Sequence, residues 1–279
     1  MSLFIASLNS GSNGNCYYIG NGLEAVLVDA GISCREIERR MANLDLQMTN
    51  VKALFISHEH SDHINGVSVL SRKYQIPVYI TEPTLRNAGI HVPKNLQQTF
   101  EANEKINIGG FTVIPFKKFH DASDPFSFLV EYNNIRIGIL TDIGKVCDQV
   151  IHYFRQCHAC FLETNYDEDM LEQGGYPIHL KKRIRGGNGH LSNTQALELF
   201  INHKPSFMSH LLLSHLSKNN NHPELALELF QKQSTNVHIT VASRYNETPV
   251  YTISGSTIEA PELRVVARKK ETMQLSLFG

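Results

Sequence analysis

Apolar and polar residues alternate in short bursts over the first sixty positions. Leu3 to Leu8, Cys16 to Ile19, Ala25 to Asp29 and Ala53 to Ser57 each read as a strand, with the turn chemistry of Ser10-Gly11-Ser12-Asn13-Gly14-Asn15 between the first two. Further strands are expected at Ile106 to Ile114, at Phe126 to Tyr132 and Ile135 to Leu140 across an Asn133-Asn134 turn, and at Ala159 to Glu163, Leu211 to Ser214 and Val237 to Val241. Ser33 with Glu36 forms a capping box before a helix to about Asn43, and Ser192 with Gln195 forms another before a helix to about His203. A third helix starts near Asn221. Strands first run consecutively and then alternate with helices, which fits two sheets packed face to face with helices outside, a layered α/β sandwich, better than a doubly wound parallel sheet. Periodicity fades from about Pro261, so residues 1–258 read as one folded domain and 259–279 as a flexible basic tail carrying Arg264, Arg268, Lys269 and Lys270.

Composition narrows the function classes. At 42% hydrophobic and 19% charged residues the chain can bury a sizeable core, which excludes global disorder. Lys plus Arg number 26 against 27 Asp plus Glu, so any affinity for nucleic acid must come from a local basic patch and not from bulk charge. No apolar run approaches the ~18 residues that cross a bilayer. Cys16, Cys34, Cys147, Cys157 and Cys160 are odd in number, irregularly spaced and preceded by no signal peptide, which points to a reducing cytoplasm; Cys157 and Cys160 form a lone C-x-x-C expected to pack in the core.

Histidine, with 14 copies, carries the chemistry. His58-Glu59-His60-Ser61-Asp62-His63 follows the apolar strand Ala53 to Ile56 and places four potential ligands within six residues of one loop. Imidazole suits zinc and other transition metals, and carboxylate draws harder ions such as manganese, so the mixed set suggests Zn or Mn. His120, Asp142 and His215 each sit where a strand gives way to a loop, the usual place for a β-scaffold to build a site.

In this order the motifs resemble the metallo-β-lactamase fold superfamily, through Asp29 in Val28-Asp29-Ala30-Gly31, the H-x-H-x-D-H run, His120, Asp142 and His215. The resemblance implies a four-layer α/β-β/α sandwich and two divalent ions. One would be held by His58, His60 and His120, the second by Asp62, His63 and His215, with Asp142 bridging and Asp29 orienting the ligand loop. Two such ions ~3.5 to 4 Å apart lower the pKa of a shared water to roughly 7, and the resulting hydroxide is the expected nucleophile.

Substrate is narrowed by Glu163-Thr164-Asn165-Tyr166, Gly189-His190-Leu191-Ser192-Asn193 and Leu213-Ser214-His215-Leu216-Ser217. These are similar to the nuclease side of the superfamily, including tRNA 3′-processing enzymes, and most closely to the WalJ (YycJ) branch of DNA exonucleases. That resemblance implies a DNA exonuclease of 5′ to 3′ polarity in replication or mismatch repair, with Asp62, Glu163 and His190 catalytic and Glu163 orienting His190 as general acid. DNA is favoured over RNA because neither a large inserted clamp domain nor a protruding tRNA arm is evident. The Gly174 to Gly189 stretch reads as a loop whose Lys181, Lys182, Arg183 and Arg185 are either solvated or in contact with phosphate, with Lys117 and Lys118 beside His120 adding to it. Phe126 and Tyr166 are candidates for base stacking, although such positions are more often core. Gln274-Leu275-Ser276-Leu277-Phe278 is similar to the bacterial sliding-clamp-binding pentapeptide, with two apolar anchors and an amide suited to a surface pocket. The other readings are a small-molecule phosphodiester or thioester hydrolase and a clamp-associated adaptor.

Overall fold

The computed structural model describes residues 2–234 and 236–255; the basic tail and the pentapeptide at Gln274 to Phe278 lie outside them. Fourteen strands form among the described residues: β1 (Ser2–Asn9), β2 (Cys16–Gly20), β3 (Ala25–Val28), β4 (Val51–Phe55), β5 (Val78–Tyr79), β6 (Gln97–Gln98), β7 (Ile106–Ile108), β8 (Phe111–Lys117), β9 (Phe126–Tyr132), β10 (Ile135–Leu140), β11 (Ala159–Glu163), β12 (His210–Ser214), β13 (His238–Val241) and β14 (Tyr251–Ser254). They make two seven-stranded sheets, in the order β14-β1-β2-β3-β4-β5-β6 and β13-β12-β11-β10-β9-β8-β7. The helices are α1 (Cys34–Asn43), α2 (Ser61–Ile64), α3 (Val67–Tyr74), α4 (Glu82–Ala88), α5 (Asp148–Phe154), α6 (Glu168–Gln173), α7 (Ile178–Ile184), α8 (Asn193–His203) and α9 (Pro223–Gln231).

Alternation along the strands generates the layers. Ala53 and Phe55 of β4, Phe128 and Val130 of β9 and Phe161 of β11 meet in the core between the sheets. The intervening Leu54 faces Ile37, Met41, Val67 and Leu70 of α1 and α3. On the other sheet Leu162, Leu211 and Leu213 pack against Val150, Phe154, Leu199, Phe200 and Phe230 of α5, α8 and α9. Helix, sheet, sheet, helix is the four-layer sandwich expected.

Local signals hold where they are short-range. Asn133 and Asn134 turn the β9–β10 hairpin with φ of 47° and 63°, which Asn tolerates better than most side chains. The Ser192–Gln195 capping box closes reciprocally at the start of α8. Two expectations are corrected. Ile106 to Ile114 is not one strand: Gly109, at φ 56°, and Gly110 fold it into the β7–β8 hairpin. Gly174 to Gly189 is not all loop, because Pro177 starts the seven-residue helix α7 inside it.

The parallel pairings of β3 with β4, of β10 with β11 and of β11 with β12 bring several strand ends to one edge of the sandwich. The candidate metal ligands lie at those strand ends.

Candidate metal centre

The loop after β4 carries His58, His60, Asp62 and His63, with Asp62 and His63 on the single turn of α2. His120 follows β8, Asp142 follows β10, Glu163 ends β11 and His215 follows β12. Three of the site's non-glycine residues adopt left-handed backbone, Asp29 at φ 60°, Asp142 at φ 56° and His215 at φ 58°. Such conformations cost of order 1–3 kcal/mol each and persist where the surroundings fix them. Here they turn the chain sharply at three strand ends and send the side chains inward.

The imidazoles are locked by what their outer nitrogens touch. His63 Nδ1 lies 2.7 Å from Asp29 Oδ2, His120 Nδ1 lies 3.0 Å from the Gly189 carbonyl, and His215 Nδ1 lies 3.0 Å from Glu163 Oε1. Ser57 Oγ donates to Asp29 Oδ2 at 2.8 Å, which leaves it to accept from His58 Nδ1 at 2.9 Å. In all four rings Nδ1 is therefore committed outward, which aims Nε2 inward.

Those inner atoms cluster. His58 Nε2 and His120 Nε2 lie 3.1 Å and 3.3 Å from His60 Nδ1. One proton on His60 cannot satisfy both acceptors, whereas ligands 2.0–2.1 Å from a tetrahedral ion stand about 3.3 Å apart. Asp62 Oδ2 lies 3.5 Å from His63 Nε2 and 3.4 Å from His215 Nε2. Asp142 stands between the two sets, with Oδ2 3.3 Å from His63 Nε2, and Oδ1 3.4 Å from His215 Nε2 and 3.8 Å from His120 Nε2. Asp142 Oδ2 is buried with no hydrogen-bond partner. Converging lone pairs and an orphaned carboxylate oxygen are what a pair of divalent ions would fill, so the residues fit the group.

Electrostatics agree. Burial opposes charge on Asp142, yet the neighbouring His215 and His63 rings hold its carboxyl well below the usual range. Burial likewise opposes ionisation of Glu163, but His190 and His215 bring it down to about 2. Burial disfavours a charged His215, and Asp142, Asp62 and Glu163 overcome it, pushing the ring up to about 10. Buried His58 and His120 move the other way, His120 to about 3, chiefly by desolvation. Carboxylates thus surround His63 and His215, while His58 and His120 are desolvated, and burial also pulls down the neighbouring Lys118 ammonium.

Glu163 joins two functions. Oε1 lies 2.8 Å from His190 Nδ1 as well as 3.0 Å from His215 Nδ1, while Oε2 accepts from the backbone N–H of Ile143 and Leu191. Its acceptors are thus occupied by the protein, which argues for a brace between the metal cluster and His190.

The basic residues are redistributed. Lys181 is buried in α7 and its ammonium donates to the Glu172 carbonyl, so it is withdrawn as a phosphate contact. Arg183 pairs with Asp121 and Arg185 with Glu172, while Lys182 is exposed without an ion pair among the described residues. Lys118 is buried, donating to the Thr141 carbonyl at 2.7 Å, and Lys117 pairs with Asp124. Phe126 and Tyr166 are core residues, 2% and 4% exposed. Cys157 and Cys160 are buried, as expected of packing positions.

Asn15 does more than turn the chain. Its amide reaches Asp62 Oδ2 at 3.3 Å and His63 Nε2 at 3.1 Å, and its carbonyl oxygen Oδ1 accepts from Gly11 N–H. The turn Ser10 to Asn15 therefore buttresses the second ligand set, with Ser10 Oγ accepting from His215 N–H at 2.7 Å. No spacing rule links residues 10–15 to 62 or 215.

Residues 24–215 match the model of the beta-lactamase superfamily domain. The chain is 36% identical over 230 residues to the exodeoxyribonuclease YycJ of Bacillus anthracis, covering 81% of this chain and 87% of that protein. It is 34% identical over 224 residues to the exodeoxyribonuclease WalJ of Streptococcus pneumoniae, covering 78% and 83%. In fold it is similar to the metallo-beta-lactamase fold protein YhfI of Bacillus subtilis, at a TM-score of 0.70 and 15% identity over 90% of this chain and 100% of that one. The short form of human tRNase Z superposes at a TM-score of 0.61 and 16% identity over 88% and 98%.

Proposed function

The chain belongs to the beta-lactamase superfamily, and on that premise we propose that it is a metal-dependent phosphodiesterase that degrades DNA from its ends. The observation that carries this reading is the convergence of seven donors on one open edge, combined with 36% identity to an exodeoxyribonuclease across most of both chains. His58, His60 and His120 would hold one divalent ion, Asp62, His63 and His215 the other, and Asp142 both; zinc and manganese each suit this nitrogen and oxygen set. When bound, the pair supplies Lewis acidity that activates water near neutral pH and offsets charge on phosphate oxygens.

The chain's own residues do the rest. Asp29 and Ser57 engage Nδ1 of His63 and His58, which aims Nε2 of each ring at the site. Glu163 accepts from His190 Nδ1–H, so His190 would act as general acid in its doubly protonated form, whose second proton is on Nε2. As the bond from phosphorus to the leaving oxygen breaks, that proton passes to the oxygen and the attacking water loses its own to solvent. The half-buried position of His190 suits contact with a substrate at the mouth.

Polarity of 5′ to 3′, a place in replication or mismatch repair and a cytoplasmic setting are part of the same proposal, supported by resemblance to the exonuclease branch and by the odd, irregular cysteines. Gln274 to Phe278 would tether the enzyme to a sliding clamp, raising its effective concentration on DNA. Deleting 274–279 should then abolish clamp binding and spare cleavage of free DNA.

The deciding assay offers metal-reconstituted protein end-labelled single- and double-stranded DNA and RNA, with His60→Ala alongside. Stepwise shortening of DNA by the wild type, lost in His60→Ala, is expected. Cleavage restricted to RNA, or equal activity in the variant, would overturn the reading.

A further inference from the structure

The ring of Phe119 stands apart from the other aromatic side chains near the centre. The β8 segment alternates as it leaves the sheet: Lys118 and His120 are buried, while Phe119 between them is 42% exposed. Lys145 Nζ lies over that ring, 3.8 Å from its centroid. Both residues belong to loops that form the mouth. The Phe119 carbonyl accepts from Gly144 N–H at 2.6 Å, and a Cβ on Gly144 would stand 2.4 Å from the Gly187 carbonyl, so the segments around 119, 144 and 187 are pressed together. The third segment continues into Gly189, whose carbonyl anchors His120, and then His190. Phe119 is thus one residue from a candidate ligand, and its loop touches the one that delivers the candidate proton donor.

We propose that Phe119 is a stacking platform for a nucleobase beside the scissile phosphate of single-stranded DNA, and that Lys145 pairs with the adjoining backbone phosphate. The inference rests on the DNA-exonuclease reading above. An exposed phenyl ring offers a flat apolar face that any base can cover, which suits an enzyme required to pass every sequence. Lys145 is the cation best placed to help. Around it Arg183, Arg185 and Lys117 already have carboxylate partners and Lys181 and Lys118 are buried; Lys182 and Lys145 are both exposed without an ion pair among the described residues, and of these Lys145 is the one over the Phe119 ring. An exchange of the π face for a phosphate frees the ring for a base and gains a charge-assisted contact. Near-neutral total charge makes such local contacts the source of affinity.

The test moves a single abasic nucleotide through the first four positions from the end of a single-stranded oligonucleotide and measures KM for wild type, Phe119→Ala and Phe119→Trp, with metal content and circular dichroism recorded for each. At one position the missing base should raise the wild-type KM about 10-fold, the scale of one base on an aromatic ring. That penalty should vanish in Phe119→Ala and persist in Phe119→Trp, and Lys145→Ala should flatten the dependence of KM on salt. If the wild type cuts no DNA, the exonuclease reading falls and this inference with it. If the wild type cuts DNA and Phe119→Ala keeps the full abasic penalty, only the platform falls.

Discussion

Asp142 shows how much one residue does here. It occupies left-handed backbone at φ 56°, where Asp and Asn are among the few side chains that sit easily, and its Oδ1 lies between His215 of one ligand set and His120 of the other while its Oδ2 lies beside His63. Asp142→Asn keeps the backbone preference and removes the charge. It is expected to fold with a near-ultraviolet spectrum like the wild type while losing at least one bound metal by plasma emission measurement and more than 100-fold in activity. Asp142→Ala should show the same loss together with a lower melting temperature, because alanine pays for the left-handed turn. The role of Glu163 is of the same kind: one carboxylate oxygen shared between His190 and His215 makes its removal a disturbance of two rings at once. None of this sharing is visible in the Glu163-Thr164-Asn165-Tyr166 string, which identifies a carboxylate at a strand end and nothing about who will meet it.

At the scale of elements, α7 is instructive. Its seven residues are too short to display a periodic apolar stripe, and its run of Lys and Arg looks like solvated loop. Tertiary context makes it a helix that ends against the site: the Ile184 carbonyl accepts from His190 N–H at 2.8 Å. A Cβ on Gly189 would stand 2.1 Å from the Ile184 carbonyl and 2.2 Å from that of Arg183. Gly189→Ala must therefore shift the segment carrying both the His120 anchor and His190; kcat is expected to drop at least 10-fold, with weaker metal retention on dialysis, while far-ultraviolet dichroism stays unchanged.

A second element-scale prediction lies at the opposite end of β12. His210 is buried, faces His238 of β13, Tyr251 of β14 and Ser209 beside it, and is brought down to about 4 by desolvation and then by His238. Because the folded pKa lies below the unfolded value near 6.5, the unfolded chain takes up the proton first as pH falls. The destabilisation is absent above pH 6.5, grows as pH falls and is complete below about 4, where it reaches roughly 3 kcal/mol. Urea unfolding of metal-free protein between pH 7 and 4 should show a shallower acid loss in His210→Phe than in the wild type; parallel curves would remove His210 from the account.

The whole molecule places its candidate ligands on both sheets: His58, His60, Asp62 and His63 follow a strand of one, and His120, Asp142 and His215 follow strands of the other. Metal bound there joins the two layers and should stabilise the native state by mass action, about 2.7 kcal/mol at a free concentration 100 times Kd. Chelation is expected to lower Tm by several degrees, with recovery on adding zinc or manganese and no recovery in His60→Ala, as read by calorimetry.

Whatever is encoded within a few residues is legible in the order of the amino acids. Strand alternation, the Asn133-Asn134 turn, the Ser192 cap and four ligands in one loop need only neighbours along the chain, and the strand-end positions of His120, Asp142 and His215 follow from the same alternation. Only the tertiary structure decided who faces whom: that Lys181 and Lys118 are buried, that Asp121 and Glu172 occupy two arginines, that Asn15 buttresses Asp62 and that Phe119 is left uncovered. These outcomes depend on contacts between segments as many as 62 residues apart, fixed by sheet order and packing, and no local spacing records them.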